Sequence, residues 1–226
     1  IVFGLLCWSG AALADTISIQ GNIGASTEGI GNFTATLEYT FTDADNGMFA
    51  VKDLKNTSTY GNGGFITGFL FNNPNDQITE ISDEDFDNTN FEVLPGMTPT
   101  APSDNGVAGN PFGDFDMGAA LGGDFQGGGR PKDGIAKNSM ATFKFNLKGT
   151  NMNTLSVSDF VSELSYQPSE EKEAQFFLVR FRGYEDMDGN EPDPSSDKVP
   201  AVPIPGAIWM LGCALLAFLR FRKQAR

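Results

Sequence analysis

The sequence predicts a mainly β chain: an antiparallel β-sandwich of jelly-roll-like character with one short helix, followed by a single C-terminal transmembrane helix. Apolar/polar alternation recurs in three separate stretches, which is the period of a half-buried strand. Gly, Asn, Asp and Pro punctuate the chain between them, as turns require. A charge-free run from Val199 to Leu219 ends in Arg220, Arg222, Lys223 and Arg226.

The first alternating stretch sets Phe33, Ala35, Leu37, Tyr39 and Phe41 against Thr34, Thr36, Glu38, Thr40 and Thr42. The second sets Ala141, Phe143, Phe145 and Leu147 against Thr142, Lys144, Asn146 and Lys148. In the third, Phe177, Val179 and Phe181 alternate with Leu178, Arg180 and Arg182. Side chains two residues apart share a face, so each stretch buries one face against a core. Further strands are expected over Thr16 to Ile23, Met48 to Leu54, Phe65 to Phe71 and Phe91 to Leu94. A helix is expected over Ser158 to Leu164, with Ser158 as its cap before Phe160, Val161 and Leu164. Pro95 to Gly134 is rich in Gly, Pro, Asp and Asn and too long for an ordinary connection, so it is expected to be either a functional loop or one holding brief strands around Phe112 to Met117.

Composition excludes several functions. The formal charge is -14, every acidic residue lies between Asp15 and Asp197, and no basic cluster with interleaved aromatics occurs there. Such a chain repels phosphate backbones, so no nucleic acid partner is expected. The chain has no histidine, which removes Ser-His-Asp and Cys-His catalysis and the commonest zinc ligand. Cys7 and Cys213 lie in the two apolar ends, so no disulfide staples the middle.

The ends organise the chain. Residues 1–14 read as a signal peptide truncated at its start, with Ala12 and Ala14 in the small-residue positions of a cleavage site and Asp15 as the mature N-terminus. Residues 15–185 form the β domain, 186–201 a polar stalk, and 202–226 a short motif, a membrane helix and a basic tail. A helix from about Pro205 to Phe221 is slightly short for a ~30 Å hydrocarbon core, and flanking Arg and Lys snorkel to make up the difference. The same basic residues hold the tail inside and leave the acidic domain facing outward.

Val202, Pro203, Ile204 and Pro205, then Trp209 within an apolar run, then the basic cluster, resemble the PEP-CTERM sorting tail in its VPxP-xxx-WL variant. Ile204 stands where the namesake motif has Glu, and Gly206 where Ala is usual. The resemblance covers about the last 25 residues and implies recognition by an exosortase-like processing enzyme at the inner membrane. It also implies cleavage in or near the proline motif and delivery to the cell surface or exopolysaccharide matrix of a Gram-negative bacterium. The prolines are expected to keep the motif out of any strand ladder and open to the enzyme.

Within the domain, three acidic runs are candidate weak calcium sites: Asp43 with Asp45, Asp83 with Asp85 and Asp87, and Asp186 with Asp188. Calcium takes six to eight hard oxygens, and none of these runs completes an EF-hand, so solvated turns are the competing reading. The run Gly122 to Gly129 lacks the Gly-Lys-Ser/Thr ending of a phosphate-cradling loop, and a flexible turn is expected. Tyr60, Tyr166 and Tyr184 are candidates for stacking on sugar rings, with burial in the core as the alternative. The leading expectation is a non-enzymatic envelope or matrix protein. A secreted, calcium-assisted carbohydrate-binding module is the second, and an anchored hydrolase using paired carboxylates the third.

Overall fold

The computed structural model describes residues 15–95, 106–166, 172–186, 188–190 and 196–204. Its strands are β1 (Asp15–Gly21), β2 (Phe33–Phe41), β3 (Asn46–Asn56), β4 (Phe65–Phe71), β5 (Ile78–Phe86) and β6 (Phe91–Pro95). They continue with β7 (Val107–Ala108), β8 (Asp114–Phe115), β9 (Met117–Leu121), β10 (Ile135–Ala136) and β11 (Met140–Gly149). One helix, α1 (Val157–Ser162), precedes β12 (Phe177–Arg182) and β13 (Ser196–Pro203). The fold is therefore mainly β with one short helix, as the alternation predicts.

The strands pair in the order β5-β11-β3-β2-β1-β13-β12-β4-β9-β6, with β10 beside β4 and a separate β7–β8 ribbon. Every pairing is antiparallel. The two ends of this path, β5 and β6, are consecutive in the chain and joined by a tight turn in which Phe91 N–H donates to the Asn88 carbonyl at 3.2 Å. The sheet thus curls back on itself and nearly closes. Its two halves meet across a core of phenylalanines: Phe69 on β4 reaches Phe143 at 4.9 Å and Phe145 at 6.1 Å on β11, and Phe33 on β2 lies 6.1 Å from Phe177 on β12. Burying each such ring contributes about 1.5–3 kcal/mol, and favourable ring pairs add roughly 0.5–1.5 kcal/mol.

Helix α1 closes one end of this core, with Phe160 stacked on Phe49 at 4.3 Å. It starts earlier than expected and is capped by Ser156, not Ser158. The Asp159 carboxylate accepts both the Ser156 N–H and its hydroxyl at 2.7 Å, which fixes the entry of the chain into the helix.

The largest departure from expectation is β13. The stretch 186–201, expected to be a stalk, enters the sheet at Ser196 and runs between β1 and β12. Val202 and Pro203, expected to stay out of any ladder, pair with Gln20 and Ile19, and Ile204 N–H donates to the Ser18 carbonyl at 2.8 Å. The two prolines are tolerated for a geometric reason. In a strand the N–H and C=O of one residue point to the same side, so Pro200, whose carbonyl accepts Asn22 N–H at 2.7 Å, has its missing donor on the β1 side. There the Asn22 carbonyl is already taken by Ala25 N–H at 3.0 Å. Pro203 faces the opposite way, beyond the start of β12, and again no ladder bond is lost.

β13 also carries a buried acid. Asp197 is 1% exposed, and its carboxylate accepts Thr27 Oγ1–H, Glu28 N–H and Ile30 N–H at 2.9 Å each and Gly31 N–H at 2.8 Å. One side chain thus ties the β1–β2 connection to the far end of the chain. The features expected over 1–14 and 205–226, including Ala12, Ala14, Pro205, Trp209 and the basic tail, lie outside the described residues. Among the described residues no helix is long and apolar enough to cross a membrane.

Candidate functional site

The described acids of the three runs bond mainly to turn amides and to the neighbouring strand. Asp43 sits in the β2–β3 turn, where its Oδ1 accepts Asp45 N–H at 2.8 Å and Asn46 N–H at 2.9 Å. These donors, with the Asn46 side chain, hold its carboxyl below the usual range. Asp186 does the same in its own turn, accepting Asp188 N–H and Asn190 N–H at 2.8 Å, and its carboxyl is lowered by the Asn190 donors first. Asp45 and Asp188 remain exposed beside them. The middle run begins in strand β5 and leaves it: Asp83 lies opposite Phe145, Asp85 pairs with Lys144 at 2.6 Å, and Asp87, just past the strand's end, accepts Thr142 N–H at 2.7 Å. Among the described residues no group of three His, Cys, Asp or Glu side chains is placed to hold a metal ion. Several of the carboxylate oxygens in these runs serve turn amides and the cross-strand Lys144. Of the tyrosines, Tyr60 and Tyr166 are exposed, whereas Tyr184 is buried against Phe181 and is no sugar platform.

The glycine-rich segment folds back over the outer face of the sheet. Gly122 and Gly123 take φ of +60° and +67°, and a Cβ on Gly128 would lie 2.2 Å from the Leu121 carbonyl oxygen, so the turn needs these glycines. Phe112, Phe115 and Phe125 from this segment pack on Leu70, Ala120 and Leu178, forming a second small core outside the main one.

Beside that second core lies a strip of cations. Arg180 on β12 is opposite Lys198 on β13, and Arg182 follows two positions on, with the same side-chain alternation. Their heads reach the overlying loops: Arg180 donates to the Phe125 carbonyl, Arg182 to the Gly128 carbonyl at 2.7 Å, and Lys198 to the Asn110 carbonyl. The ion pairs among the described residues, Lys52–Glu38, Arg130–Asp133, Lys144–Asp85 and Lys148–Glu80, all lie elsewhere. Burial, and then the Arg180 guanidinium, hold the Lys198 ammonium down to about 8. Burial, and then Arg182, hold Arg180 down to about 10, against a smaller opposing pull from Asp124. The Arg180 Nε–H is buried and has no acceptor.

A carboxylate group occupies the other notable position. Asp116 accepts Asn73 N–H at 2.8 Å, and its carboxyl is raised first by burial, with the Asp76 and Glu163 carboxylates adding to the effect. Sequence reasoning passed over both groups. Arg180 and Arg182 are visible as the outward positions of an alternating strand, but Lys198 joins them only once β13 is placed in the sheet. No protein-family model matches the chain, and neither the curated proteins nor the solved structures include a significant match to it.

Proposed function

We propose that the chain is an exported, non-enzymatic cell-surface or extracellular-matrix protein of a Gram-negative bacterium, handled through a PEP-CTERM-like sorting tail. The observation that carries this reading is the placement of the two chain ends. Ile204 is bonded to Ser18, three positions from Asp15 on the same strand, so the expected mature N-terminus and the start of the tail leave from one end of the domain. A domain so built hangs from a membrane by one end without any of its sheet being unpaired. The finer fold belongs to the same proposal: a jelly-roll-like sandwich, supported by the facing halves of the sheet, followed by a single transmembrane helix over about 206–219.

Val202 to Ile204 are held in the ladder beside β1, so processing by an exosortase-like enzyme falls beyond Ile204, where no peeling of β13 is needed. Fractionation of the native organism with mass spectrometry of both termini tests the proposal. The expected product begins at Asp15, lacks the basic tail and lies at the surface or in the matrix. Intact Arg226 on surface material, or a chain that stays in the cytoplasm, overturns it. The hydrolase reading gains one observation, the raised Asp116 carboxyl near Asp76 and Glu163, since acids of shifted pKa mark catalytic pairs. Loss of glycan cleavage in Asp116→Asn with the fold intact would establish that reading in place of the first.

A further inference from the structure

We propose that the outer face of β12 and β13 binds an oxyanion, a carboxylate, sulfate or phosphate group, through Arg180, Arg182 and Lys198. The proposal goes beyond the surface-sorting reading and does not depend on it. Three positive charges share one side of two neighbouring strands, with Arg180 directly opposite Lys198. Like charges in facing positions repel, and the repulsion grows where loops exclude water. Elsewhere in this chain of formal charge -14, Lys52, Arg130, Lys144 and Lys148 each meet a carboxylate. Among the described residues the strip meets only neutral oxygens: carbonyls, and the Gln126 Oε1 at 3.4 Å from Lys198 Nζ.

Carbonyl dipoles satisfy individual N–H groups but leave the net charge of the strip uncompensated, and a bound anion would remove that deficit. The acid acting on Arg180, Asp124, makes no ion pair with it and uses its Oδ1 to accept Gln126 N–H at 2.7 Å. Arg180 retains an Nε–H without an acceptor, and the planar guanidinium fork suits two oxygens of one anion. Gly127, Gly128 and Gly129 add no side chain over the carbonyls that Arg182 meets, which leaves that end of the strip open to an anion.

Titration of the full chain with inorganic phosphate, sulfate, polygalacturonate and neutral dextran, followed by calorimetry and thermal melts, tests the site. Binding to at least one anionic probe is expected, weakening as salt is added, with none to dextran. Phosphate or sulfate alone assigns a tetrahedral anion; polygalacturonate alone assigns a carboxylate; either outcome supports the site. Lys198→Gln and Arg180→Gln should each weaken binding about tenfold or more. Lys148→Gln, which removes the same charge from the other half of the sheet, should leave it unchanged. If Arg180→Gln unfolds the chain, Lys198→Gln decides alone, because its amide can still donate to the Asn110 carbonyl. Binding of dextran as strong as that of the anions, no binding at all, or equal losses in Lys148→Gln and Lys198→Gln would overturn the proposal.

Discussion

Asp197 concentrates on one carboxylate the acceptors for three backbone N–H groups and the Thr27 hydroxyl. Asp197→Ala removes the acceptor from all of these donors at once, Gly31 N–H in a buried bond and the others in partly buried ones, and a loss of about 3 kcal/mol is expected in urea unfolding. Asp197→Asn returns one acceptor oxygen but turns an NH2 towards other N–H donors, so it should lose nearly as much. Asp116 responds in the opposite sense. Its folded carboxyl is raised, so at neutral pH ionisation works against the fold, and the effect is absent below the ordinary carboxylate range, where both states are protonated. Asp116→Asn keeps an acceptor for Asn73 N–H and should raise stability at pH 7 in urea unfolding, with no gain near pH 3. Lys198 supplies an alkaline signature. The folded amine releases its proton near pH 8, whereas the unfolded one holds it to its ordinary value of 10.5, so the unfolded chain binds more protons in that window and stability rises through it. Tyr39 acts the other way: burial raises its phenol from 10.0 to about 12, and stability falls between those values. Subtracting the Lys198→Gln profile from that of the unaltered chain should isolate a rise of about 1 kcal/mol starting at pH 8, the amine being only partly screened from water.

At the scale of single elements, β2, β4, β11 and β12 are legible because each keeps one apolar face from end to end. Strand β5 is not. Its buried Ile78 is followed by a run of exposed acids from Asp83 to Asp85, and register shifts against β11 break the alternation, so the segment resembles a ligand run rather than a strand. The acids suit an outermost strand, where charge discourages pairing with another chain. Strand β13 is hidden by Pro200 and Pro203, whose missing donors fall where no partner waits. Helix α1 is found but misplaced, because the deciding feature is the reach of Asp159 back to Ser156 rather than the serine nearest the apolar stripe. Ser156→Ala should cost about 1 kcal/mol in thermal or urea unfolding. With the turn carboxylates already bonded to amides, melts in calcium and in chelator should share one midpoint; a large rise with calcium would mean that these acids leave their turns to bind it.

At the scale of the whole molecule, the acid-rich composition announces the overall charge but conceals where the charge reverses. The cationic strip is assembled from β12 and β13 and roofed by the glycine-rich loop, and only tertiary placement brings Lys198 opposite Arg180. The same strand that completes the strip joins the two halves of the sheet, since β1 and β12 are linked only through it. That position sets a clock. Strand β1 leaves the ribosome about 180 residues before its neighbour Pro203, so the joint cannot form until almost all of the described chain has been made. Contacts so distant in sequence form slowly, and until then the halves meet through their phenylalanine core but share no ladder at β13. A chain ending at Ser195 should remain unfolded by circular dichroism and proteolysis, and adding a synthetic peptide of residues 196–204 should restore protection. A nascent chain that stays open until its last strand arrives is also one that can be threaded through a narrow membrane channel before it sets.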